Sequence, residues 1–328
     1  VGGRFTSPTT CVFMLPYLLC HGGDGESRLL DVLRQAEKMN SLDLALEDDV
    51  FIQLGLYLYR NALKGRDKLT FIVPERLKSI PLWAQQLFEE SLGKDGRGVT
   101  VFYGENLDHK NLKPPGEDDR VYLRINMGGR KTSNEFWMGI EGRACFEIDL
   151  DDVNSVGGLM LGLQRCVALI GYLWGINFVT QPAVEGYKKQ TKMIMDSLGE
   201  GDEVEVPGDW MSESIPYKSL NIHLHPLYMT GMDVNYVVAD EHKAPEAYAK
   251  ILKHLNREGL MEAAELAVYA GMSDELRSIM EDARMRVYTK KLRVPCKLGE
   301  GPDKNHSYQQ NIEDGRDMFF STYIMAGR

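Results

Sequence analysis

The chain has 328 residues, 43% hydrophobic and 26% charged, with a formal net charge of −10. That length carries one large or two moderate domains around a sizeable core, and the composition is that of an ordinary globular protein. The acidic balance excludes a generally basic, nucleic-acid-binding surface, while a few local Arg and Lys side chains could still hold an anion.

The elements read in chain order. Residues 8–19 are expected to form a buried helix, and 27–40 an amphipathic one with apolar Leu29, Leu30, Val32 and Leu33. Residues 47–63 form another, ended near Gly65. The apolar run 69–73 stops at Pro74 and reads as a buried parallel strand. Residues 81–92 form a helix whose exit carries Glu90, and 99–103, 120–126 and 145–150 are strand candidates. Residues 156–174 are apolar nearly all round and interrupted by Gly157, Gly158, Gly162 and Gly171. A helix of that kind lies inside a protein, and its glycines allow close packing.

Residues 199–216 are acidic, with Gly and Pro, and read as a linker or surface excursion. Beyond them come a strand over 220–228 and helices over 245–255, 260–270 and 274–288. A strand over 293–298, a loop over 299–310 and a last strand over 318–325 complete the chain. Strands alternating with helices imply an α/β fold: a three-layer αβα sandwich with a mainly parallel sheet, and a C-terminal α/β extension. The expected division is 1–200 and 201–328. In such sheets ligands sit at the carboxyl ends of strands and at helix N-termini.

Cys11, Cys20, Cys145, Cys166 and Cys296 lack metal-like spacing and read as reduced core thiols of a cytosolic protein. No apolar run reaches the ~20 residues that cross a bilayer, and no leader segment is visible. A cytoplasmic protein with neither a membrane nor a nucleic-acid partner is expected. His223 and His225 would share one side of a strand, but no third ligand is spaced to join them, so a structural pair is expected and no metal. Nucleotide motifs are absent.

Four segments carry chemistry. They are Gly2-Gly3-Arg4-Phe5-Thr6; Glu90-Ser91-Leu92-Gly93-Lys94 with its tail to Gly98; Gly175-Ile176-Asn177 followed by Gln181-Pro182-Ala183-Val184-Glu185 and Lys188; and His306-Ser307-Tyr308-Gln309-Gln310. Taken singly, Glu90 reads as a helix-end acid, Lys188 as one of two surface lysines, and His306 as a loop histidine. Together the segments resemble the phosphoglucose isomerase family, in which each has a counterpart.

The resemblance implies a sugar-isomerase fold and a cofactor-free interconversion of glucose 6-phosphate and fructose 6-phosphate through ring opening and a cis-enediol. It implies Glu90 as the base that moves a proton between C2 and C1, Arg4 as the cation beside the enediolate, and Lys188 and His306 as ring-opening groups. Gly3, Gln181 and Gln310 would contact the phosphosugar. A carboxylate, a guanidinium and an imidazole suit those tasks chemically. The order Arg, Glu, Lys, His looks most like the isomerase half of fused transaldolase–phosphoglucose isomerase proteins. That implies an N-terminal sugar-isomerase domain or a transaldolase domain upstream of Val1. Two alternatives stay open: a non-catalytic sugar-phosphate-binding module, and an isomerase that acts also on mannose 6-phosphate.

Overall fold

The computed structural model describes residues 3–132, 140–197, 213–217, 220–224, 244–306, 308–316 and 318–325, with the backbone alone for 197, 213–217, 220–224, 244 and 306. Strands β1 (Lys68–Ile72), β2 (Thr100–Phe102), β3 (Arg120–Met127) and β4 (Cys145–Leu150) form a sheet in the order β2-β1-β3-β4. Every pairing in it is parallel. All five residues of β1 are buried, as a parallel strand with both faces covered requires.

Helices Val50–Ala62, Ile80–Leu92 and Val156–Trp174 share one core with this sheet, through Phe51, Leu54, Leu87, Phe88, Leu159, Leu163 and Ile170. The glycines of the last helix are close-approach sites. A Cβ on Gly162 would lie 2.2 Å from the Phe51 ring, and one on Gly157 would lie 2.4 Å from the Val32 carbonyl oxygen. With its preceding turn, this helix spans Val153–Trp174 and is long and apolar enough to cross a membrane, contrary to the expectation from sequence. Its apolarity is accounted for by burial, since Leu159, Leu163, Cys166, Val167 and Ile170 are fully enclosed.

The first helix corrects another expectation. It runs over Cys11–His21, capped by Thr10, and buries none of its residues. Val12, Leu15 and Leu19 are 64%, 57% and 75% exposed. Apolar composition suggested burial, but the helix packs chiefly on the Gly25–Met39 helix, where Gly25 lies close against Leu18. Cys11 and Cys20 are therefore surface thiols rather than core ones, whereas Cys166 and Cys296 are buried.

Strands β5 (Glu213–Tyr217) and β6 (Leu220–Leu224) form an antiparallel hairpin, so the expected linker ends in a strand. His225 and most of the linker lie outside the described residues, as does the His223 side chain. A second parallel sheet follows, with β7 (Ala263–Tyr269), β8 (Cys296–Glu300) and β9 (Phe319–Met325) in the order β8-β7-β9. β7 occupies most of the segment expected as a helix over 260–270. Its Ala, Glu and Leu residues favour helix weakly; paired on both sides and buried along nearly its whole length, the segment becomes a central strand.

Helix Asp274–Ala283 continues as a π-helical segment, Arg284–Leu292, and ends where Arg293 turns left-handed at φ 55°. The second sheet has its own core, including Ile251, Leu255, Val268, Tyr288 and Phe320. It meets the first sheet at β2, where Phe102 packs with Ala263, Met318 and Phe319. Lys68 also crosses to Glu262 at 3.0 Å.

Candidate functional site

The Ile80–Leu92 helix opens with Pro81, where a missing N–H costs nothing. Its last turn buries Glu89, Glu90, Ser91 and Leu92. Two adjacent carboxylates can be buried because each meets a cation from a distant segment. Glu90 Oε2 lies 3.1 Å from Arg4 Nη1, and accepts a hydrogen bond from Gln86 Nε2 at 3.1 Å. The neighbouring carboxylate, Glu89, pairs with Lys297 of β8 and accepts from the Val101 N–H at 2.8 Å. Burial pushes Glu89 up to about 7, against the opposing pull of Lys297.

Arg4 is almost completely enclosed. Its Nε donates to Ser91 Oγ at 2.8 Å, and its Nη2 donates to the carbonyls of Phe178 and Val179 at 3.2 and 2.9 Å. Burial lowers its pKa and Glu90 raises it in opposition. Lys94, also buried, donates to the Ser91 carbonyl at 2.7 Å and the Asn177 carbonyl at 2.9 Å. Burial, reinforced by Arg4, pushes Lys94 down to about 8, while Glu90, Asp314 and Asp95 pull the other way.

The glycines of this turn make room for the Gln309–Asp314 helix. A Cβ on Gly93 would lie 2.4 Å from Asn311 Cα, and one on Gly98 would lie 2.1 Å from Asn311 Oδ1. Asn311 donates to Thr100 Oγ1 at 2.9 Å. Gln310 is fully buried and its polar atoms are occupied by protein groups. Its Oε1 accepts from the Ala183 and Val184 amides at 3.0 and 3.3 Å, and its Nε2 donates to the Gly93 carbonyl and to Asp314 at 3.0 and 3.1 Å. It ties the start of the Pro182–Ser197 helix to the turn after Glu90.

The structure thus brings Arg4, Glu90 and the Gln310 tie together. Lys188 lies on an exposed part of the Pro182–Ser197 helix and makes no hydrogen bond or ion pair among the described residues. Gln181 is partly buried, and its Oε1 is enclosed without a partner among the described residues. Gly3 begins a short 3-10 turn, and its carbonyl accepts from Thr6 Oγ1 at 2.5 Å. His306 ends the 3-10 turn Asp303–His306, and its side chain lies outside the described residues. Sequence reasoning assigned no role to Ser91, Lys94 or Asn311, although the first two stand inside a motif it singled out. Among the described residues no acidic, His and Cys cluster suits a metal ion. A cavity of about 370 Å³, lined by Tyr59, Arg97, Trp174 and Arg316 among others, includes none of the seven candidate residues.

No protein-family model matches the chain. It is 29% identical over 231 residues to a probable glucose-6-phosphate isomerase of Haloarcula marismortui, covering 60% of this chain and 52% of that one. It is 26% identical over 246 residues to a glucose-6-phosphate isomerase of Parabacteroides distasonis, covering 62% and 54%. Among solved structures, a hypothetical protein from Thermus thermophilus superposes with a TM-score of 0.48 at 25% identity, over 60% of this chain and 55% of that one. A glucose-6-phosphate isomerase from Chlamydia trachomatis also gives 0.48, at 18% identity over 61% and 48%. The chain spans about half the length of the curated relatives it matches. Through those curated relatives, the chain is related to the phosphoglucose isomerase family.

Proposed function

We propose that the chain carries the aldose–ketose isomerase centre of a glucose-6-phosphate isomerase. The observation that carries this reading is the buried Arg4–Glu90 pair at 3.1 Å, formed by residues whose separate motifs resemble the family's cation and base. Glu90 would take the C2 proton and return it to C1. Arg4 would stand where negative charge develops on the enediolate, and a fixed cation in a dry site is a strong stabiliser of such charge. The Gln181 Oε1, enclosed and without a partner among the described residues, supports a polar ligand nearby, since buried acceptors ordinarily have partners. Lys188 and His306 are proposed to open the sugar ring. The motif order supports an isomerase half working beside a further sugar-isomerase or transaldolase domain.

A second reading, a sugar-phosphate-binding module without turnover, is favoured by Lys188, which is exposed and makes no hydrogen bond or ion pair among the described residues. Deuterium uptake from heavy water into glucose 6-phosphate separates the two. The wild-type protein should exchange the C2 proton, and Glu90→Gln should bind the sugar but exchange at least ~10²-fold more slowly. Binding without exchange by the wild type would favour the module, and equal exchange by both proteins would place the base elsewhere. Repeating the assay with mannose 6-phosphate tests whether the same enediol chemistry extends to that sugar.

A further inference from the structure

We propose that Lys94 is a positioning residue that fastens the 177–179 turn, and with it the start of the Pro182–Ser197 helix, to the helix end bearing Glu90. The proposal deepens the isomerase reading and rests on it for its catalytic consequence. Lys94 reaches the Asn177 carbonyl, and Arg4 reaches those of Phe178 and Val179. Three successive carbonyls of one turn are therefore each held by a buried cation. Charge-assisted hydrogen bonds are roughly twice as strong as neutral ones, so this turn is held more firmly than a turn bonded through neutral groups.

Lys94 also bonds the Ser91 carbonyl, one residue beyond Glu90, so the ammonium measures the distance between the base and the turn. Past the turn, Gln310 grips the amides of Ala183 and Val184 while holding the Gly93 carbonyl. The segment 177–184 is thus tied at both ends to the turn 91–94. Gln181, whose Oε1 has no partner among the described residues, lies between the two ties, and Lys188 follows on the Pro182–Ser197 helix.

The tie sets one cation close to another. Arg4 repels the Lys94 charge, and Glu90, Asp314 and Asp95 compensate it. An apolar side chain would fill the space without that repulsion, but would leave the Asn177 carbonyl with the neutral, longer bond from Thr180 Oγ1 at 3.2 Å in place of the charge-assisted one at 2.9 Å. The burial that draws Lys94 down to about 8 makes the tie sensitive to alkaline pH: loss of the proton replaces charge-assisted bonds with weaker neutral ones.

The test compares the full chain as wild type, Lys94→Met and Lys94→Arg by amide hydrogen exchange and by the pH profile of isomerase turnover. Lys94→Met should raise exchange across 180–184 while β7 amides stay protected, and should lower kcat/KM about 10²-fold through misplacement of the helix start. In the wild type, turnover should fall as pH rises past about 8. Lys94→Arg keeps its charge, so it should retain turnover and lose that alkaline fall. Unchanged exchange at 180–184 in Lys94→Met overturns the proposal, as does raised exchange with normal turnover, or an alkaline fall unmoved in Lys94→Arg. If Lys94→Met exposes β7 as well, the protein is unfolding globally and the Lys94→Arg profile decides. A wild type without turnover would overturn the isomerase reading, and the exchange comparison would still decide whether Lys94 holds the segment.

Discussion

Glu89 and Glu90, neighbours at the end of one helix, hold opposite ends of the chain. Glu89 pairs with Lys297 on β8, and Glu90 pairs with Arg4 in the opening turn. One helix end thereby joins the N-terminal turn, the first sheet and the second sheet.

Lys297→Met should destabilise the protein by about 1–2 kcal/mol more at pH 8, where the enclosed Glu89 carboxylate is ionised and loses its cation, than in acid, where it is neutral. The loss should shrink in acid. Burial raises the folded-state pKa of Glu89 above 4.5, to about 7 in the wild type. The stability it contributes is therefore fully present below the unfolded value of about 4.5 and is lost as pH rises through the folded value. Urea denaturation of Lys297→Met at pH 5 and pH 8 checks this, with the smaller penalty expected at pH 5. Adding Glu89→Gln should recover much of the loss at pH 8.

Arg4→Lys should not replace Arg4. The guanidinium serves Glu90, Ser91, Phe178 and Val179 from one planar group, and an ammonium cannot reach all four in the same fixed geometry. Under the proposed isomerase reading, turnover should drop by about 10²-fold or more, measured by the rate of fructose 6-phosphate formation. Near-normal turnover would remove Arg4 from the proposed mechanism.

Two glycine substitutions should act in opposite directions. Gly162→Ala drives a methyl group into the Phe51 ring, whose nearest atom would be 2.2 Å away, so a loss of about 1–3 kcal/mol is expected from overpacking. Gly186→Ala meets no atom within 4 Å and sits on an exposed helix turn. It should stabilise by up to about 1 kcal/mol through helix propensity. Thermal melts of the two variants read both signs.

Thiol labelling of the native protein should proceed rapidly at Cys11 and Cys20, which are exposed on the first helix. Cys166 and Cys296 are buried, and burial raises both thiols, so they should react when denaturant opens the core. Mass mapping after a timed dithionitrobenzoate or maleimide reaction identifies the residues. Fast native labelling of Cys166 would contradict the packing of the Val156–Trp174 helix.

Several elements were determined by local sequence alone. The strand Cys145–Leu150 and the helix Val156–Trp174 lie where residue pattern placed them. The helix's glycines and apolar residues, and the strand's alternation of Phe146, Ile148 and Leu150 with Glu147 and Asp149, act over a few residues, which is the range that periodicity reports. The motif around Arg4 and the one around Glu90 were also legible, because each is a short contiguous string. Tertiary structure decided the rest. It made 263–269 a central strand by pairing it on both sides, and it left the apolar helix Cys11–His21 on the surface. It also enclosed Glu89 and brought Glu90 to Arg4 across 86 positions of chain. Periodicity records which residues share a face of their own element, but the partner of that face, and the cation that lets a carboxylate be buried, come from chain segments that meet only on folding.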